Sequence, residues 1–131
     1  MLDRRATLGE YWPVAELLIQ QGFLRYRVVS DSMAPAICTG DYVELESVAA
    51  ESLVPGDTVV VAAQGAVLCH RLEKAYRQDG SLWLVTRGDA EANSDEPVEA
   101  RRLIGRVKAV TRGRAWDRLK LRATRQIERH P

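Results

Sequence analysis

Apolar residues change their spacing twice along the 131-residue chain. Near the start they follow a helical period, with Trp12, Ala15, Leu18 and Ile19 on one face. Thr7-Leu8-Gly9-Glu10 forms a capping box ahead of them, Pro13 fits a first helical turn, and Gly22 is a stop signal. From Phe23 the period shortens to two. Phe23 to Val29 reads as one strand, with Val28-Val29 as its buried end, and Tyr42 to Glu46 alternates cleanly. Thr58 to Ala63 is a continuous apolar run, as in a strand covered on both faces. Ala66 to Leu72, Leu82 to Thr86 and Leu103 to Val110 read as further strands. Turn signals stand at Gly40-Asp41, Pro55-Gly56-Asp57, Gln64-Gly65 and Asp79-Gly80, and a polar loop runs from Arg87 to Ala100. Beyond it Trp116, Leu119, Ala123 and Ile127 return to helical spacing.

Short strands separated by turns predict a mainly β, barrel-like or sandwich-like body over residues 23–110. An amphipathic helix precedes it in residues 1–22, and a basic helix follows in 111–131. A hydrophobic content of 46% supports one folded domain. The net charge of +1 hides an asymmetry: Arg101 to Pro131 carries eleven Lys and Arg, opposed only by Asp117 and Glu128. This tail is either a solvated helix face or a surface for anionic lipid or an acidic partner. The Trp12 face either packs on the domain or, with the Trp116 region, docks the protein on a membrane surface or a partner protein. No nucleic-acid recognition motif accompanies the basic residues, so no nucleic acid is expected. No apolar run approaches the ~20 residues that span a bilayer, and no signal peptide of the usual form is evident. A soluble, cytoplasmic or peripherally membrane-associated protein is expected. Cys38 and Cys69 lack metal-ligand spacing and read as packing residues; no metal or cofactor is expected.

The candidate chemistry begins at Ser30-Asp31-Ser32-Met33-Ala34-Pro35. Pro35 keeps the residue before it from helical geometry, so the chain bends after a strand and displays Ser32 at the exit. Such a turn suits a nucleophile and equally an ordinary loop serine. A nucleophile needs a base. Of the two histidines, His130 lies at the chain end, and His70 shares a strand face with Leu68 and Leu72 by alternation. Taken alone, His70 reads as a hydrogen-bonded core residue.

Order and spacing add to this. Ser32-Met33-x-Pro35, Gly40-Asp41, Pro55-Gly56-Asp57, His70-Arg71, Thr86-Arg87-Gly88-Asp89 and Ile104-Gly105-Arg106-Val107 together resemble the signal peptidase I family. Its fold is shared with the self-cleaving SOS and phage repressors. The resemblance runs from about Phe23 to Val110 and implies a serine endopeptidase without a cofactor. It places the nucleophile at Ser32 and the general base at His70, a position that is usually Lys in the bacterial peptidases and the repressors. It places the third catalytic residue at Asp95, six residues after Gly88-Asp89, with Asp89 in reserve. Ser30 Oγ and the Ser32 N–H match the oxyanion hole. A histidine base is largely neutral near pH 7 and needs orientation more than burial, which a carboxylate on the far ring nitrogen supplies. Asp31 stands where the signal peptidases usually have Gly, and a strand-exit position turns it toward water.

The resemblance implies a peptide or preprotein substrate that adds as a strand beside Phe23 to Val29 and is cut after a small residue. Tyr26, Val28 and Ile37 are the candidate pocket residues. Two other readings remain: a catalytically silent peptide-binding module, and a repressor-type autoprotease. The second would need an Ala-Gly or Cys-Gly before Ser32, and none is there.

Overall fold

The computed structural model describes residues 23–63 and 65–113; the side chains of Phe23 and Tyr26 are outside that description. Both expected terminal helices, with Trp12 and Trp116, fall outside the described residues except for the first three positions of the second. Seven strands follow in chain order: β1 (Phe23–Arg27), β2 (Tyr42–Glu46), β3 (Thr58–Ala63), β4 (Ala66–Gln78), β5 (Ser81–Arg87), β6 (Val98–Glu99) and β7 (Leu103–Thr111). They form one curled sheet in the order β1-β2-β7-β3-β4-β5-β6, with every pair antiparallel. Short 3-10 turns at Ala50–Ser52 and Ala100–Arg102 lead out of two loops. Among the described residues, no helix is long and apolar enough to cross a membrane.

The unbroken apolar run of β3 has a direct structural cause. Val60 joins a core with Val28, Met33, Ile37, Val43 and Leu45. Its neighbours Val59 and Val61 point the other way, into a core with Leu53, Ala63, Leu72 and Leu84. The strand lies between two apolar layers, so alternation carries no polar residue. Fully burying each such side chain stabilises by about 1.5–3 kcal/mol.

Three boundaries differ from the sequence pattern. The first strand stops at Arg27. Val28 is buried and still exchanges backbone hydrogen bonds with the Gly40-Asp41 turn, but Val29 is 85% exposed. The chain has by then left the sheet edge. β4 continues six residues past Leu72, through a bulge between Leu72 and Lys74. Beyond that bulge most of the strand is exposed, so no apolar alternation marks it. A tight turn with Asp79 at φ 52 and Gly80 at φ 79 closes it onto β5, and positive φ at both central residues is what a two-residue hairpin turn requires. The polar loop ends earlier than expected, at the two-residue β6, which pairs Val98 and Glu99 with Leu84 and Trp83.

Asp41 closes the other side of the sheet. It is only 5% exposed and accepts from the amides of Cys38 and Gly113 and from Arg112 Nη1, at 2.8–2.9 Å. Burial pushes its carboxyl up, but the two amides and Arg112 outweigh burial and hold it below the ordinary range. Each buried donor left unpaired costs about 1–3 kcal/mol, so Asp41→Ala is expected to destabilise by about 2–4 kcal/mol in urea unfolding. A lowered folded pKa gives stability that is present above the unfolded value of ~3.9 and is lost as pH falls through the folded value. Wild type is therefore expected to lose stability more steeply below about pH 4 than Asp41→Asn, which cannot titrate there.

Candidate active site

The turn after β1 is built by two backbone bonds, Ala34 N–H to Asp31 O and Ile37 N–H to Met33 O, both 3.0 Å. Met33, 2% exposed, sinks into the first core and anchors the turn. Ser32, its neighbour, stays half-buried at the surface. Asp31 is exposed to water, as its strand-exit position predicts. Its carboxylate accepts from the Thr39 N–H at 2.9 Å, and that bond holds its carboxyl below the usual range.

His70 is buried on β4, opposite Val59 of β3. Ser32 Oγ lies 3.0 Å from its Nε2, and Asp95 Oδ2 lies 2.5 Å from its Nδ1. An ionised carboxylate can only accept, so the Nδ1 proton faces Asp95 and Nε2 of the neutral ring is left to accept from Ser32. Asp95 is itself held: Thr86 Oγ1 donates to the same Oδ2 at 2.7 Å, and the Asp95 N–H donates to Thr86 O at 2.8 Å. Ser30 Oγ stands 3.2 Å from Ser32 Oγ. The structure thus brings Ser30, Ser32, His70 and Asp95 into one hydrogen-bonded chain. Such a chain can move a proton from a hydroxyl to an imidazole and stabilise the imidazolium that forms.

Asp89 does not join that chain. Its carboxylate makes a two-point pair with Arg71, Nε to Oδ1 at 2.8 Å and Nη2 to Oδ2 at 2.7 Å. Arg71 Nη1 also donates to Gly56 O, so the residue after His70 ties the Pro55-Gly56-Asp57 turn to the 88–95 loop. The Arg71 guanidinium holds Asp89 below the usual carboxylate range. Asp89 is a positioning residue for the loop that carries Asp95.

Val28 and Ile37 line a cleft of about 70 Å³ that opens beside Ser32 and His70, while the Tyr26 side chain lies outside the described residues. Val67, Leu68 and Cys69 of β4 supply its opposite wall. The sequence puts Leu68 on the face of His70 and reads Cys69 as a packing residue, but marks none of the three as lining a pocket. Among the described residues Cys38 and Cys69 form no disulfide. A second carboxylate near the histidine, Glu91, is equally unmarked: its Oε1 lies 3.7 Å from His70 Nε2. Nothing in the local sequence signals it, because the contact depends on how the loop folds back.

The loop and the Ser32 turn touch backbone to backbone. Ala90 N–H donates to Ser32 O at 2.9 Å, and Asp89 N–H points at Met33 Sδ. A Cβ on Gly88 would sit 2.6 Å from Ser32 O, closer than real Cβ contacts come. Gly88 is required by this approach rather than by its own dihedral angles. Gly88→Ala is expected to cost about 1–3 kcal/mol, read from the urea midpoint, because a backbone atom cannot swing aside. Asp89→Asn keeps the size but loses the charged two-point pair. A partly exposed two-point pair of this kind is worth about 1 kcal/mol, so this variant is expected to lower the stability read from the urea midpoint by about that much.

No curated protein matches the chain. The sequence model of the Peptidase S24-like family matches residues 3–108, which include every strand through most of β7 and all of Ser30, Ser32, His70, Asp89 and Asp95. This is the family of the SOS- and phage-repressor proteases, a serine-protease-type group. With that match over most of its length, the chain belongs to the Peptidase S24-like family.

Proposed function

We propose that the protein is a serine endopeptidase of signal-peptidase-like specificity, cutting an extended peptide after a small residue. The hydrogen-bonded run Ser32–His70–Asp95 carries this reading. His70 Nε2 takes the Ser32 hydroxyl proton as Oγ attacks the scissile carbonyl carbon. The oxyanion accepts from Ser30 Oγ–H and the Ser32 N–H, a pair in which each donor is worth about 3–4 kcal/mol. Imidazolium then gives its proton to the amide nitrogen, the C–N bond breaks, and the amine fragment leaves. Water, with its proton drawn to His70, attacks the ester carbon; the C–Oγ bond breaks, imidazolium returns the proton to Ser32 Oγ, and the new carboxylate leaves.

Two features support the specificity. β1 is an edge strand of the sheet and leads directly to Ser30 and Ser32, so a peptide laid along it reaches the nucleophile. The cleft of about 70 Å³ is about half the ~150 Å³ of a cavity that holds benzene, so it suits a methyl side chain better than an aromatic ring.

Peptides carrying Ala-x-Ala, read by mass spectrometry, test this. Wild type is expected to cut after Ala and to fail on the same peptide with Phe there. Ser32→Ala is expected to lose about 10⁴-fold or more. Asp95→Asn should lose ~10⁴-fold by favouring the wrong tautomer, and Ser30→Ala ~10²–10³-fold. Cleavage that persists in folded Ser32→Ala would remove the proposal.

A further inference from the structure

Among the described residues the carboxylates around the site have assigned partners, with one exception. Asp89 takes Arg71, Glu73 takes Arg87 and the Ser94 hydroxyl, and Asp95 takes His70 and Thr86. Glu91 differs. Its carboxylate receives only the Gly88 N–H, at 3.3 Å, and faces His70 Nε2 at 3.7 Å. The Arg87 guanidinium is close but donates to the Glu91 backbone carbonyl, at 2.8 Å. The Glu91 side chain is 44% exposed, so its charge is open to an arriving ligand. Its backbone is fixed by the Glu91 N–H bond to Gly88 O at 2.9 Å.

Peptidase chemistry at Ser32 and His70 says what stands in front of this carboxylate, and the role assigned to Glu91 rests on that proposed function. The proton taken from Ser32 must end on the leaving amine, so the scissile nitrogen comes within about 2.6–3.2 Å of His70 Nε2. Glu91 Oε1 lies on that same atom's approach, which puts it within about 7 Å of the scissile nitrogen. This is the reach of the first side chain on the leaving side of the bond. We propose that Glu91 is a specificity-determining residue that selects a cationic side chain, Lys or Arg, immediately after the cleaved bond. A carboxylate there attracts a guanidinium and repels a second carboxylate, while half-exposure keeps the effect moderate.

The test compares kcat/KM for two Ala-x-Ala peptides that differ only in the residue after the cut, Arg or Glu. Each enzyme's ratio cancels any difference in the amount of folded protein. Wild type is expected to prefer Arg about tenfold, Glu91→Gln to reduce the ratio to about two, and Glu91→Lys to reverse it. An unchanged ratio in both variants overturns the inference. Labelling of Ser32 by a fluorophosphonate, compared with His70→Ala, separates this failure from failure of the peptidase reading. If Ser32 is labelled but neither peptide is cut, binding to Ser32→Ala by fluorescence anisotropy decides, and equal affinities overturn the inference. If Ser32 is not labelled, the peptidase reading and the inference fall together.

Discussion

The site depends on one close approach, the backbone of Gly88 against the carbonyl of Ser32. No side chain fits between them. That contact lets Ala90 N–H reach Ser32 O and brings the far end of the loop back along β5, where Asp95 pairs with Thr86. Met33 holds the other partner by burying itself in the first core. Ser32 is therefore set by packing on one side and by backbone hydrogen bonds on the other.

Around this contact one residue type serves several ends. Asp31 caps the Thr39 amide, Asp41 gathers two amides and Arg112, Asp89 pairs with Arg71, and Asp95 orients His70. What separates them is what each carboxylate accepts from. Asp31, Asp41 and Asp89 accept amides or a guanidinium, which favour the ionised form and lower their pKa values. These three support the fold at neutral pH and release it in acid. Asp95 accepts from an imidazole and a hydroxyl, so it is directed at the His70 ring.

A histidine at position 70 fits this geometry. A lysine there must be desolvated to lose its proton, whereas a histidine must be aimed. His70 is aimed from both ring nitrogens, by Asp95 and by Ser32, and Thr86 holds Asp95 in turn. The bulge between Leu72 and Lys74 lies next to Thr86, where β4 changes register against β5. Sheet irregularities at such places re-aim side chains.

Alternation and turn residues, read along the chain, determined a mainly β body, the strands at 42–46 and 58–63, and the turns at Gly40, Gly56 and Gly80. These signals are local: burial on one face or two writes itself into every second residue, and positive φ writes itself into glycine. The resemblance to a peptidase family named Ser32, His70 and Asp95 in order. Only the tertiary structure decided that they meet, that Asp89 turns to Arg71 instead, that Val29 is exposed, and that Glu91 faces the histidine. His70 and Ser32 are 38 positions apart, and His70 and Asp95 are 25 apart. Contacts over such spans arise from strand order and loop closure, and they leave no periodic trace in the residues between.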